Sequence, residues 1–574
     1  MALADVVSKL YSTEINMMQC ITTIIAVISV SIIVALTRWT LGTLRPKNFP
    51  PGPRVTPGLG NLLQMPISKS YLTFHKWYKT YGDLVGLKVG TANMVIINSP
   101  EVVTELFDKR GASYSGRPYN YILCNHVFPS DGDKALAILP YNSYQRRLRK
   151  SLTYILSSSG ISRVMPILEA EAANLSRLCL DGGDNYVRNL YYWSISGPLA
   201  ITCGKRMDDL PGDYTKAFLA AQKALLDLLV PGVAPPVDVF PILKYVPEWM
   251  GASWKADARK AHAMHLTDRT MYLNYGKEQR DTLKKDPSSV GFASLLAKIM
   301  EDMETKPGAP KFSDVELAHM GANITGAAVD TTVATFKSLM VFLACYPEVM
   351  RKVQAEVDRV GNGKPPTSDK LDQLVYLQAC ISETLRLRPT TPSALPHTIE
   401  KDDHFRGYVF PKGTTFLINA WTMNNNEEDY DRPEEWVPER FLENSYGLRP
   451  ERFAALAKAI GATDTTSGDK TTSQPVSLGS RRVLYTFGSG RRICPGVEFA
   501  TTSLLLAASK LLWAYDILPP PGGVDVSIET GFEDGVVIQP KNPLIIPKLR
   551  DDMRKQGLME DYERTQAIAH SLIP

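Results

Sequence analysis

From Ile15 to Thr37 the chain carries no charged side chain, and Ile21, Ile24, Ile25, Val27, Ile28, Val30, Ile32, Ile33, Val34 and Leu36 dominate it. A helix of roughly 20 such residues spans the hydrocarbon core of a bilayer. In water it would have to be covered on every face. A cleaved secretory leader is the competing reading, but the run is too long and lacks a strongly basic segment before it. Arg38, Arg45 and Lys47 follow the run, whereas Lys9 is offset by Asp5 and Glu14. That asymmetry predicts a body held in the cytoplasm. The expected division is a lumenal segment (1–16), a transmembrane anchor (17–37), a basic, proline-rich connector (38–60), a body (61–549) and a charged C-terminal tail of unassigned role (550–574).

The body has the composition of a globular unit: of 574 residues, 44% are hydrophobic and 22% charged, enough to build a core. A net charge of +4 is too small to argue for a nucleic-acid partner. Cys20, Cys124, Cys179, Cys203, Cys345, Cys380 and Cys494 are scattered and form no C-x-x-C pair. They suit neither a disulfide framework nor a zinc site and point to a reducing compartment. Residues 85–90 and 94–97 read as short strands, and 408–419 as a second β stretch. Between them the pattern is mainly helical from Pro100 to about Arg388, broken at 230–241 by prolines. Residues 462–477 read as a polar surface insertion. The longest helix is predicted from Ser313, whose Ser-Asp-Val-Glu start has capping-box form, to Tyr346. Small residues crowd its middle (321–328), which suits close helix packing or a flat ligand beside the backbone.

The densest chemical signal is Phe487-Gly488-Ser489-Gly490-Arg491-Arg492-Ile493-Cys494-Pro495-Gly496, ahead of an apolar helical run over 497–513. Glycines permit a tight turn, and the following helix start stabilises a thiolate. An inert buried thiol is the competing reading. This segment resembles the haem loop of the cytochrome P450 family, F-x-x-G-x-R-x-C-x-G, at Phe487, Gly490, Arg492, Cys494 and Gly496. The resemblance implies that Cys494 ligates haem (heme) iron as an axial thiolate. Two further segments are similar to the same family. Glu383-Thr384-Leu385-Arg386 has its E-x-x-R form, and Pro438-Glu439-Arg440-Phe441 resembles the segment completing a structural cluster of Glu383, Arg386 and Arg440. Ala327-Ala328-Val329-Asp330-Thr331-Thr332 looks like the oxygen-activation segment A-G-x-D/E-T-T, with Ala328 in place of glycine. It implies catalytic roles for Asp330 and Thr331; the alternative for Thr331 is a hydroxyl bonded to its own helix turn. Residues 141–149 resemble a W-R-x-x-R segment, with Gln145 where tryptophan is usual. Arg149, Arg492 and His397 are then the candidates for the haem propionates.

The resemblance covers Pro50 to about Leu549. It implies a mainly α fold with small β-sheets, the cytochrome P450 fold, beside one N-terminal transmembrane helix. The implied activity is a monooxygenase that inserts one atom of O2 into a lipophilic substrate, in the style of fungal secondary metabolism on terpenoid, polyketide or indole-type compounds. No G-x-G-x-x-G turn lies between strand and helix, so NADPH is not expected to bind this chain; the resemblance implies electrons from NADPH through a separate reductase. Arg146, Arg147, Arg149, Lys150, Arg481, Arg482 and Arg491 are the candidate docking face, and the endoplasmic reticulum membrane the expected location. Substrate contacts are expected from 126–138, 225–233, 323–327, 391–395 and 531–536. Leu225, Leu226, Leu228, Leu229 and Val230, with Pro231, Val233 and Pro235, form either a membrane-dipping lip or core. A haem-thiolate isomerase or dehydratase and a non-catalytic haem- or lipid-binding membrane protein are the rival functions. The retained Asp330-Thr331 pair and the intact Cys494 loop favour the monooxygenase.

Overall fold

The computed structural model describes residues 2–129, 136–181, 185–210, 212–229, 234–459, 478, 481–541 and 545–573. The expected insertion at 462–477 and parts of two expected substrate segments, 130–135 and 230–233, lie outside these residues.

Helix α1 (Ala2–Gly42) is continuous and runs from the expected lumenal segment through the expected anchor into the start of the expected connector. Its apolar stretch, Gln19–Gly42, is uncovered by protein from Gln19 to Arg38 and partly covered from Trp39 on. Two other described helices are apolar and long enough to span a bilayer, but both are mostly buried inside the body. The connector is no loose spacer. Trp39 Nε1 donates to the Gly58 carbonyl at 2.7 Å, and Arg45 donates to the carbonyls of Pro53 and Gly86. These bonds tie the end of α1 to the first strand.

The main sheet contains β1 (Leu84–Val89), β2 (Ala92–Ile97), β3 (His397–Thr398) and, after the β4–β5 hairpin (Asp403–Phe405, Tyr408–Phe410), β6 (Thr415–Ile418). The spatial order is β1-β2-β6-β3, with β6 parallel to β2 and antiparallel to β3. The His397↔Phe416 pairing fixes His397 on the sheet. A separate pair, β7 (Tyr515–Leu518) with β8 (Ile546–Leu549), closes the C-terminal part.

Helices make up the body: α2 (Ser143–Leu156), α3 (Ser158–Leu178), α4 (Tyr186–Cys203), α5 (Tyr214–Asp227), α6 (Trp254–Lys285), α7 (Asp314–Cys345), α8 (Val375–Leu387), α9 (Val497–Ala514) and α10 (Asp552–Leu572), among others. The expected capping box starts α7. Glu316 N donates to Ser313 Oγ at 3.2 Å, and Ser313 N donates to Glu316 Oε2 at 2.7 Å. Residues 332–344 of α7 are buried on all sides, because α4, α6, α8 and α9 surround it. The mainly α fold with small sheets is as the sequence implies.

Residues 550–573, expected as a charged tail of unassigned role, pack on the body. Helix α10 lies along α3 and α9, where Lys510 Nζ meets Asp561 at 2.6 Å and Glu169 at 3.5 Å. Arg564 bridges Glu169 and Asp561, both at 2.7 Å. Phe292 N donates to the Leu572 carbonyl at 3.1 Å.

Of the two readings for the apolar residues at 225–235, lip or core, the described part takes the second. Leu228 is 6% exposed and packs with Ile122, Phe128, Val237 and Trp254, with Leu225 and Leu229 against them. The outward apolar residues are Ile242, Tyr245 (80% exposed) and Trp249 (83%), in two short turns just downstream. They sit beside the end of α1, because Phe240 packs on Trp39 at 5.7 Å between ring centres.

Candidate active site

The loop before α9 is shaped by two glycines in the left-handed region, Gly488 (φ 72°) and Gly490 (φ 62°). Cys494 N donates to the Phe487 carbonyl at 2.8 Å, closing the turn. Asp108 fastens the loop from outside: its Oδ1 accepts from Gly490 N (3.0 Å) and Arg482 Nη2 (2.7 Å), and Ser489 Oγ donates to its carboxylate at 3.2 Å. Cys494 is accessible although protein surrounds it densely, so it lines an interior space. Burial pushes its thiol up, while the Gly496 N–H and the Arg149 charge pull it down. A Cβ at Gly496 would lie 3.9 Å from that sulfur.

Positive charge gathers beside the loop. Arg149, on α2, donates to the Ile493 carbonyl at 2.8 Å. Arg492 Nε donates to the Ser115 carbonyl at 2.9 Å, and Arg117 Nε to that of Ala137 at 2.8 Å. His397, buried, meets the Tyr114 carbonyl through Nδ1 at 2.8 Å and packs edge-on against Phe107. Among the described residues none of the three guanidiniums has a carboxylate partner. Burial and then mutual repulsion lower Arg117 to about 9 and Arg492 to about 10; burial also lowers Arg149. Burial, then Arg117, lowers His397 to about 3. Gln145, one turn before Arg149, is 0% exposed, and neither amide atom has a hydrogen-bond partner among the described residues. Covered cations normally have an anion beside them and buried amides a partner, so this cluster is short of negative charge and Gln145 of hydrogen-bond partners. Arg117 was not among the expected residues. No local pattern marks it, since Gly116-Arg117-Pro118 reads as an ordinary turn.

On α7, Thr331 Oγ1 donates to the Ala327 carbonyl at 2.9 Å, the helix-turn bond weighed as the alternative. Ala327 is exposed in an otherwise largely covered helix. Asp330 points away toward α5, where Gln222 Nε2 donates to its Oδ2 at 3.3 Å and to the Gly326 carbonyl at 3.0 Å. Burial pushes the Asp330 carboxyl up, against Gln222 and Lys337. Ala328 and Thr332 meet Phe499 and Ser503 of α9 around a cavity of about 10 Å³. The Asp330 segment is thus packed on the helix that follows Cys494.

The structure also brings Glu383, Arg386 and Arg440 together. Arg386 grips both Glu383 oxygens (2.7 and 2.8 Å), and Arg440 Nε reaches Glu383 Oε1 at 3.1 Å. The remaining Arg386 donors meet the carbonyls of Asn424, Pro433 and Glu435.

The family model for cytochrome P450 matches residues 50–547. The chain belongs to the cytochrome P450 family. It is 37% identical to the cytochrome P450 monooxygenase grgG of Penicillium sp, over 92% of each chain. It is 28% identical to a cytochrome P450 monooxygenase of Arthrobotrys oligospora (91% of this chain, 93% of the relative). It is 27% identical to the cytochrome P450 monooxygenase patI of Penicillium expansum, with the same coverage. This P450 is therefore a haem-thiolate monooxygenase, and its residues fit the group. An accessible thiol lies next to a buried cluster short of anions, as a dicarboxylate porphyrin requires.

The basic face is smaller in this P450 than the sequence suggests. Arg147 pairs with Glu316, Arg481 with Asp429 and Glu101, and Arg482 with Asp108. Arg149 is turned into the cation cluster. Arg146, Lys150 and Arg491 remain outward, the two arginines grouped around Tyr141.

Proposed function

We propose that Cys494 would supply the thiolate that holds the haem iron of this P450, and that Arg117, Arg149, Arg492, His397 and Gln145 would hold the carboxylates of the haem. The observation that carries this is the convergence of three unneutralised guanidiniums on the loop of the one cysteine set between glycines at a helix start. When bound, the haem supplies dioxygen reduction and oxygen insertion. The chain supplies position and protons. Phe487, Gly490 and Gly496 shape the loop, and Glu383, Arg386 and Arg440 brace the segment at 424–437. Asp330, whose carboxyl burial pushes up, is the side chain that would take up a proton and pass it toward α7's exposed face. Because Thr331 Oγ1 already donates to Ala327, its free lone pairs accept a hydrogen bond from a protonated oxygen rather than releasing its own proton. Thr331→Ala is expected to turn NADPH use toward hydrogen peroxide release, lowering product per NADPH by roughly tenfold or more; unchanged coupling removes Thr331 from the mechanism.

Electrons come from NADPH through a separate reductase that meets Arg146, Lys150 and Arg491, where complementary charge assists encounter. Helix α1 anchors the protein in the endoplasmic reticulum membrane with the body in the cytoplasm. Ile242, Tyr245 and Trp249 rest in the same interface, as amphipathic aromatics do. The substrate is lipophilic, enters from the bilayer beneath the Phe128 and Leu228 cluster, and belongs to fungal secondary metabolism, as a terpenoid, polyketide-derived or indole-type compound. Its single-oxygen insertion is tested by deleting the gene and profiling metabolites. Accumulation of a compound lacking one oxygen atom supports the reading, and an unaltered profile under producing conditions contradicts it.

A further inference from the structure

Thr104–Lys109 is wound as a π turn, in which the Arg110 N–H donates to the Glu105 carbonyl at 3.2 Å. Such turns add one residue to a helical turn and recur where a side chain is re-aimed toward a site. This one meets two parts of the site at once. The Phe107 ring stands edge-on to His397 at 4.7 Å, and the Phe107 carbonyl lies where a Cβ on Gly490 would have to go. Asp108, the next residue, accepts from Gly490 N at 3.0 Å, Ser489 Oγ at 3.2 Å and Arg482 Nη2 at 2.7 Å. Its mount is stiff. Leu106 and Phe107 are buried, and Arg110 pairs with Glu105 at 3.2 Å and with Asp403 at 3.0 Å. Tyr114 packs on Phe107 and donates its hydroxyl to Asp403 at 2.8 Å.

We propose that Asp108 is the positioning residue of the thiolate: by taking the Gly490 N–H and the Ser489 hydroxyl it fixes the reach of Cys494, and the same turn keeps that reach in register with His397. The loop is held at two points. One is internal, the Cys494 N–H on the Phe487 carbonyl at 2.8 Å; the other is Asp108. Without the outer point the loop keeps its own closure and shifts as a unit, carrying the sulfur away from its place. Neutralising charge is the lesser part of the work. Arg482 is 33% exposed, so water and salt serve it well, whereas Ser489 is 0% exposed and needs an acceptor fixed beside it. Partners that hold a metal ligand in place are typically worth about 10–100-fold in affinity or activity. The proposal rests on the assignment of Cys494 as the thiolate.

The test uses the full-length, haem-loaded protein in lipid vesicles, reduced under carbon monoxide, and follows how fast the thiolate-type Soret band is lost. Asp108→Ala is expected to lose it about tenfold faster than wild type. Asp108→Asn keeps an amide oxygen that accepts from Gly490 and Ser489, and it is expected to stay close to wild type. Arg482→Met, which removes only the ion pair, is expected to do the same. A band as durable in Asp108→Ala as in wild type overturns the proposal. So does a loss in Asp108→Asn or Arg482→Met as fast as in Asp108→Ala, since charge would then be the cause. Should Asp108→Ala fail to load haem, Ser489→Ala carries the test by deleting one donor and leaving the carboxylate. It must lose the band faster than wild type, and an unchanged rate counts against the proposal. An imidazole-type band in wild type is the separate failure of the Cys494 assignment; a thiolate-type band indifferent to Asp108→Ala is the failure of this proposal alone.

Discussion

Arg386→Ala is expected to yield protein that loses about 3–5 kcal/mol of stability and retains little haem. Both oxygens of Glu383 and three backbone carbonyls meet this one guanidinium, which is 0% exposed. Deleting it strips Glu383 of its two-pronged partner and leaves the carbonyls of Asn424, Pro433 and Glu435 short of donors in a dry site. Arg440 and the Val437 N–H still hold Glu383 Oε1, so the carboxylate is not wholly abandoned. Lysine is a poor rescue, since it offers one point charge where a planar fork serves five acceptors. Chemical denaturation with haem quantitation checks this; a denaturation midpoint equal to wild type contradicts it.

Gly490→Ala is expected to have a second large effect, seated in the loop itself. Its φ of 62° disfavours a side chain by about 1–2 kcal/mol. More decisively, the new Cβ would stand 2.2 Å from the Phe107 carbonyl oxygen, which belongs to backbone and cannot swing away. Relief requires moving the loop, and that breaks the Gly490 N–H bond to Asp108 and displaces Cys494. Gly488→Ala is the contrast. Its φ of 72° and ψ of −164° form a backbone shape that a side chain strongly disfavours, but the nearest heavy atom is 4.0 Å away, so its strain stays local. Gly490→Ala should lose most of its thiolate-ligated haem, with Gly488→Ala losing much less. Equal retention in both would place the constraint elsewhere.

Much of this was readable in the chain because the signals are local. The Ser313 capping box, the glycines around Cys494 and the three-residue spacing of Glu383 and Arg386 each depend on near neighbours, and each takes the expected geometry. What escaped depends on distant segments converging. Arg117 matters because β3, α2 and the Cys494 loop bring His397, Arg149 and Arg492 beside it. Apolar residues at 225–229 carry the same pattern whether they face lipid or core, and Phe128 and Trp254 decide the question by covering them. The basic face shrank for a similar reason, since Glu316, Asp429 and Asp108 come from remote parts of the chain. Helix α10 looked like a charged tail because its partners Glu169 and Lys510 are invisible from its own sequence.

The central claim, that Cys494 carries the haem iron, is tested most directly by the absorption spectrum of the reduced, carbon-monoxide-bound protein. Wild type should show the thiolate-type Soret band. Cys494→His should shift it to an imidazole-type band or lose haem, and serine at each of Cys20, Cys124, Cys179, Cys203, Cys345 and Cys380 should leave it in place. An imidazole-type band in folded wild type, or a thiolate-type band that survives Cys494→His, would contradict the account.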